Sequence, residues 1–166
     1  MSSDNRVSHE FPPVYDEDSR VLILGTIPSP KSRESGFYYM HPQNRFWRML
    51  CAVLDEDIPS DIDGRKRMCL SHGVALWDVL ESCEINGASD SSIKNAVPND
   101  LNRIFDAADI RAVFTTGKKA HALYSRYFAE DAHTEICLPS TSPANRTISE
   151  AEMLEQYRQI AEYLKK

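Results

Sequence analysis

Residues 21–50, VLILGTIPSPKSRESGFYYMHPQNRFWRML, decide how this chain folds. The apolar run Val21, Leu22, Ile23, Leu24 ends at Gly25, and a Pro- and Ser-rich loop carrying Lys31 and Arg33 follows. Phe37, Tyr38 and Tyr39 come next, and from Asn44 onward Phe46, Trp47, Leu50, Val53 and Leu54 recur at helical spacing. A strand buried on both faces reads as a near-continuous apolar run, and open α/β sheets bind ligands beyond the carboxyl ends of such strands. Residues 25–40 are therefore expected to line a crevice.

The same alternation continues outward. Residues 61–72 predict a helix closed by Gly73, and residues 74–80 a second strand. Residues 82–99, rich in Ser, Asn, Asp and Gly, read as a long loop of the kind that covers sites. Leu101, Ile104, Phe105 and Ala108 mark a helix, residues 110–115 a third strand stopped by Gly117, and residues 118–128 another helix. Residues 134–138 predict a fourth strand and residues 139–147 a Ser- and Pro-rich loop. Residues 149–164 predict an amphipathic helix opened by the capping pair Ser149 and Glu152. Four strands interleaved with helices imply a three-layer α/β/α fold on a four-stranded parallel sheet. The loops at residues 25–40, 81–99, 116–118 and 139–146 should then converge. The polar, acidic residues 1–18 read as an extended N-terminal arm on a single domain spanning residues 19–166.

At 166 residues and 42% hydrophobic, the chain can bury a core without covalent staples. Cys51, Cys69, Cys83 and Cys137 show no paired spacing, which speaks against a zinc or iron-sulfur site, and no metal or other cofactor is expected. There is no leader-like apolar segment near Met1 and no run of about 18 apolar residues, so the expected location is the cytoplasm, away from membranes. The formal charge of −6 opposes non-specific affinity for nucleic acid. Its distribution is uneven, with Asp55, Glu56, Asp57, Asp61 and Asp63 in one acidic knot while Lys31, Arg33, Arg45 and Arg48 crowd the crevice.

Gly25, Thr26, Ile27, Pro28 and Ser29 follow a strand as a phosphate cradle does, yet match neither glycine-rich nucleotide motif, and as a bare pattern they are a turn. Three adjacent rings in a polar loop either stack on a ligand or fold back onto the core. On spacing alone His41 is a structural hydrogen-bonder and Asn44 an N-cap. The last loop, residues 138–146, offers hydroxyls and N–H groups to an anion, stiffened by Pro139 and Pro143.

Taken together, GTIPSP, GFYYMHPQNRFW and LPSTSPANR resemble the uracil-DNA glycosylase superfamily, and within it the hypoxanthine-DNA (deoxyinosine) glycosylase branch. The resemblance spans residues 21–146, and GFYYMHPQNRFW is its most specific part. In the mismatch-specific uracil enzymes the first motif reads G-I-N-P, with an Asn that positions the attacking water; here that place holds Ile27, which cannot orient water. The resemblance implies that the catalytic role passes to Asn44, that Tyr39 carries the flipped base, and that residues 25–29 and His41 surround it. It further implies DNA contacts from Lys31, Arg45, Lys118, Ser140, Thr141, Ser142, Pro143, Asn145 and Arg146, with Pro143, Asn145 or Arg146 filling the gap the base leaves. The implied partner is double-stranded DNA containing a deaminated base, most of all hypoxanthine, met by a monomer at the nucleoid. Competing expectations are a uracil or mismatch glycosylase, a catalytically inactive DNA-binding module of the same fold, and an unrelated small-molecule domain.

Overall fold

The computed structural model describes residues 6–9, 11–86 and 89–164. In chain order the elements are β1 (Arg6–Ser8), β2 (Val21–Gly25), α1 (Pro30–Ser35), α2 (Phe46–Leu54), α3 (Ile62–Ser71), β3 (Val74–Asp78), β4 (Leu80–Glu84), a 3-10 turn (Asp90–Ser92), β5 (Lys94–Pro98), α4 (Asn102–Phe105), β6 (Ala112–Thr116), α5 (Lys118–Tyr127), β7 (Thr134–Leu138), α6 (Glu150–Tyr157) and α7 (Gln159–Leu164). The four strands expected from the apolar runs form one parallel sheet in the order β3-β2-β6-β7. β2 and β3 are buried along their whole length, which is why their sequences show no alternation. α3 packs on β3, α5 on β6 and β7, and α7 on β2.

That strand order fixes where a ligand can sit. β2 connects outward to β3 on one side, and the chain then returns to place β6 on its other side, so the order reverses between β2 and β6. Neighbouring loops diverge at such a switch point and leave a crevice beyond the carboxyl ends of the strands. Here those ends are Gly25 and Thr116.

Several elements differ from the sequence expectation. Residues 82–99 are no open loop: β4 and β5 form an antiparallel hairpin, with shifts of register, and β1 pairs with the other edge of β4. Polar, weakly alternating strands of a small solvated sheet give no apolar run to read. The extended segment ahead of β2 is tied down: Val14 bridges Leu76, and Phe11 and Val14 are buried. The crevice loop contains the short helix α1, with Ser29 as N-cap, Pro30 in the first turn and Gly36 at φ 79° as its left-handed C-cap. The final helix is broken at Arg158 into α6 and α7, and the helix expected near residues 101–108 shrinks to four residues.

Ser149 caps α6 as expected, its Oγ accepting from the Glu152 N–H at 3.2 Å. Ser149→Ala should destabilise the protein by about 0.5–2 kcal/mol, read as a lower urea midpoint at unchanged slope. An unshifted midpoint would show that the last helices are held by packing alone.

Candidate active site

A cavity of about 280 Å³ opens at the switch point. All four strand ends contribute to its wall: residues 25–29 after β2, Asp78 at the end of β3 with Ile85 beyond it, Thr116 at the end of β6, and residues 140–144 after β7. Tyr38, Tyr39, His41 and Asn44, from the stretch that joins α1 to α2, complete it. The size lies at the low end of ligand pockets, which run to about 300–1,000 Å³.

The three adjacent rings split between core and site. Phe37 and Tyr38 are 1% and 2% exposed, Phe37 stacks on Trp47, and the Tyr38 hydroxyl donates to Pro12 O at 3.0 Å. Phe37 docks on α2 through its ring and Tyr38 through its carbonyl, which accepts from Trp47 Nε1 at 3.0 Å, so both are packed into the core, with Tyr38 also reaching the cavity wall. Tyr39 is left at the cavity, in the left-handed region at φ 57°. A non-glycine residue held there is strained and needs its surroundings to impose it. Phe46 supplies part of that constraint, stacked on the Tyr39 ring at 3.8 Å and 18°. Thr116 supplies another part. Its hydroxyl donates to Leu24 O, so the Tyr39 hydroxyl at 3.2 Å donates to Thr116 Oγ1 and links the ring to both central strands. Burial, and then the Asp78 charge, push the Tyr39 phenol well above its ordinary range, so the ring stays neutral.

Asn44 lies one residue ahead of Arg45, which is the N-cap of α2, so it is not the cap expected of it. Its Oδ1 accepts the Phe46 N–H at 2.8 Å in a local turn, and the same side chain lines the cavity. The carboxamide is thus fixed by one bond, with the second Oδ1 lone pair and Nδ2 left over. His41 Nδ1 accepts from the Gln43 N–H at 3.1 Å, which puts the hydrogen of a neutral ring on Nε2. The N–H groups of Ile27 and Ser29 meet no acceptor among the described residues.

The terminal loop is braced by its own side chains. Ser140 Oγ accepts from Ser142 N–H, Ser142 Oγ from Ala144 N–H, and Asn145 Nδ2 donates to Ser140 O at 2.9 Å. With Thr147 donating to its Oδ1, Asn145 is engaged at both ends and holds the turn together. Thr141 is buried and its carbonyl accepts from Arg45 N–H at 3.1 Å.

Two cations expected to meet DNA have partners within the protein. Arg45 turns inward, its guanidinium donating to Ile148 O at 3.0 Å and Asn145 O at 2.9 Å, so it clamps the terminal loop to α2. Lys31 projects from α1 outside the cavity wall and pairs with Glu34. Lys118 and Arg146 are exposed and also stand outside the wall, while Pro143 lies in it.

The sequence reading missed Asp78, Thr116 and Ile85. Asp78 did carry a signal, a carboxylate closing an otherwise apolar strand at its carboxyl end. It is 3% exposed, with its side chain against His9 Nε2 at 2.7 Å and its backbone carbonyl accepting from Asn99 Nδ2. Buried carboxylates persist only when hydrogen-bonded or put to use. Among the described residues no cluster of His, Cys, Asp and Glu is arranged to hold a metal ion.

Chemically, the cavity offers a neutral aromatic face, a fixed carboxamide, backbone donors and a buried acceptor. A family model described as the uracil DNA glycosylase superfamily matches residues 12–165. The chain belongs to the uracil DNA glycosylase superfamily. Within this superfamily the chain is 36% identical, over 138 residues, to a hypoxanthine DNA glycosylase of Methanosarcina barkeri, covering 82% of this chain and 87% of that one. It is 32% identical over 145 residues to a hypoxanthine DNA glycosylase of Methanosarcina acetivorans, covering 86% and 91%. A solution NMR structure from Methanosarcina acetivorans, provisionally assigned as a uracil DNA glycosylase, superposes with a TM-score of 0.77 at 29% identity, covering 91% of this chain and 96% of its own.

If Tyr39 carries the ligand's ring, Tyr39→Ala should weaken lesion binding by about tenfold to a hundredfold, since stacking is worth ~1–3 kcal/mol per base. Titration of a lesion-bearing duplex by fluorescence anisotropy would read it, and unchanged affinity would leave Tyr39 a packing residue of α2.

Proposed function

We propose that this protein is a monofunctional DNA glycosylase that removes a deaminated base, hypoxanthine above all, from double-stranded DNA. The observation that carries the reading is that Asn44, Tyr39 and residues 140–144 share one cavity at the sheet's switch point, the place an extruded base needs. The relatives named as hypoxanthine enzymes, and Ile27 where a water-positioning Asn would mark the uracil type, favour hypoxanthine over uracil.

In this reading the lesion leaves the stack and lies on Tyr39, whose ring Phe46 backs. The bond from C1' to N9 breaks with its electron pair leaving on the base, and the sugar passes through an oxocarbenium-like state. A water bound to the Asn44 carboxamide adds its oxygen to C1' and gives up a proton to solvent. An amide is too weak a base to take that proton, so Asn44 acts by aiming the water. The backbone N–H groups of Ile27 and Ser29 are the donors available to the departing base, and fixed donors of this kind cost no reorganisation as charge develops. The braced loop at residues 140–144, with Pro143 at the front, meets the DNA backbone and the vacated gap, and Lys31, Lys118 and Arg146 are exposed cations in the segments that follow strand ends and meet phosphates. The protein acts as a monomer.

The deciding experiment incubates the protein with duplexes carrying hypoxanthine, uracil, xanthine or a G·T pair and cleaves abasic sites with alkali. Strand cleavage is expected foremost at hypoxanthine. Cleavage at uracil or G·T in its place would reassign the lesion, and DNA binding with no abasic product anywhere would make this an inactive binding module.

A further inference from the structure

His9 and Asp78 form a buried pair behind the cavity that the mechanism above leaves unused. Pairing of β1 with β4 continues into His9, whose backbone N–H donates to Glu81 O at 2.7 Å. The imidazole packs against Phe11 and Tyr38 with ring centroids 4.7 and 5.6 Å away. Its Nε2 lies 2.7 Å from Asp78 Oδ2, and the two side chains are only 3% and 5% exposed. His9 Nδ1 is buried and has no partner among the described residues. A buried acceptor lacking a partner is tolerated better than a buried donor, so the hydrogen sits on Nε2 and is given to Oδ2.

The pair therefore divides the carboxylate. Oδ2 is held by His9, while Oδ1 lies over Gly25, 2.4 Å from where a Cβ would stand, and meets no donor among the described residues. Asp78 lines the cavity, so that oxygen is an acceptor offered to whatever enters. His9 stands ahead of residue 12, where the match to the family begins, so it is no part of the matched pattern.

We infer that His9 is a positioning residue that holds Asp78 Oδ1 as an obligate acceptor in the cavity floor, so that the site selects bases presenting a ring N–H and rejects those presenting a ring lone pair. This rests on the glycosylase reading. Hypoxanthine carries a hydrogen on N1, whereas adenine, from which deamination makes it, has a lone pair there that a carboxylate repels. Binding sites built around one buried hydrogen bond discriminate strongly against ligands that cannot make it. The same carboxylate opposes negative charge growing on the departing base, so the contact serves selection and the departure relies on other donors.

The test is single-turnover excision from duplexes carrying hypoxanthine or 1-methylhypoxanthine, which lacks the N1 hydrogen. Wild-type protein should release hypoxanthine at least about a hundredfold faster than its methylated form. Asp78→Ala removes the acceptor and makes room for the methyl group, and should bring the two rates within about tenfold of each other. His9→Phe keeps the ring packing but frees Oδ2, and should lower the ratio part of the way; His9→Gln, which restores an N–H donor, should recover it. A ratio is independent of how much of a variant folds, so a merely structural role would leave it unmoved. Equal rates on the two bases with wild-type protein, or an undiminished ratio in Asp78→Ala and His9→Phe, would overturn the inference while the glycosylase reading stands. Wild-type protein that releases no hypoxanthine would sink that reading first.

Discussion

Asn44→Ala is expected to slow base release by about 10²- to 10⁴-fold, the range over which one positioned catalytic group contributes. The carboxamide is anchored through Oδ1 to the Phe46 N–H, so its remaining lone pair and Nδ2 are aimed at a fixed point in the cavity. Alanine removes both the aim and the bond to the Phe46 N–H. That bond alone is worth about 1 kcal/mol of stability, which would lower the melting temperature with no bearing on chemistry. Asn44→Ser separates the two effects: a hydroxyl can still accept the Phe46 N–H, but it cannot reach as a carboxamide does. Stability near wild type with a rate as low as that of Asn44→Ala would place the loss in the chemical step. Single-turnover excision at saturating enzyme measures it, and an unchanged rate in either variant would remove Asn44 from the mechanism.

Gly25→Ala should abolish most activity, by about a hundredfold or more, through one methyl group. A Cβ at this position would stand 2.4 Å from Asp78 Oδ1, 3.1 Å from the Tyr39 hydroxyl and 3.6 Å from Thr116 Oγ1. Asp78 is tethered by His9 and Tyr39 by Thr116, so neither yields without breaking a bond that shapes the floor. Gly25 is the last residue of β2, and what demands glycine here is space for the site. The sheet should therefore survive, with an intact far-ultraviolet circular dichroism spectrum, while affinity for the lesion-bearing duplex and excision both fall. Wild-type excision by Gly25→Ala would mean that the base does not enter this cavity.

The legibility of this chain followed burial. β2, β3 and β6 were readable because strands covered on both faces are near-continuously apolar, and the partly exposed edge strand β7 was expected over the residues it occupies. α6 announced itself through Ser149 and Glu152, since capping is chemistry between residues three apart. β4 and β5 were unreadable because a solvated hairpin needs only backbone pairing, which Ser, Glu, Lys and Asn supply without a pattern. The same contrast divides the site. Tyr39 and Asn44 stood within a local motif, whereas nothing near His9 in the chain pointed to Asp78, 69 residues away. Arg45 shows the limit from the other side: a basic residue beside a DNA-binding motif reads as a phosphate contact until the carbonyls of Asn145 and Ile148, about a hundred residues on, are seen to occupy it.

By itself the amino-acid sequence determined the parallel α/β sheet, the order of its strand-end loops and the stretch from Tyr39 to Asn44 that lines the cavity beyond them. Apolar periodicity, caps and turn residues act over a few positions and leave their mark locally. Tertiary structure alone decided how the three rings divide between core and cavity, that the Arg45 guanidinium clamps the terminal loop, and that a histidine just after the first strand holds one oxygen of the carboxylate in the cavity wall. Those outcomes depend on donors and acceptors meeting across the sheet, where desolvation forces each buried polar group to find a partner, and no local pattern records which partner that is.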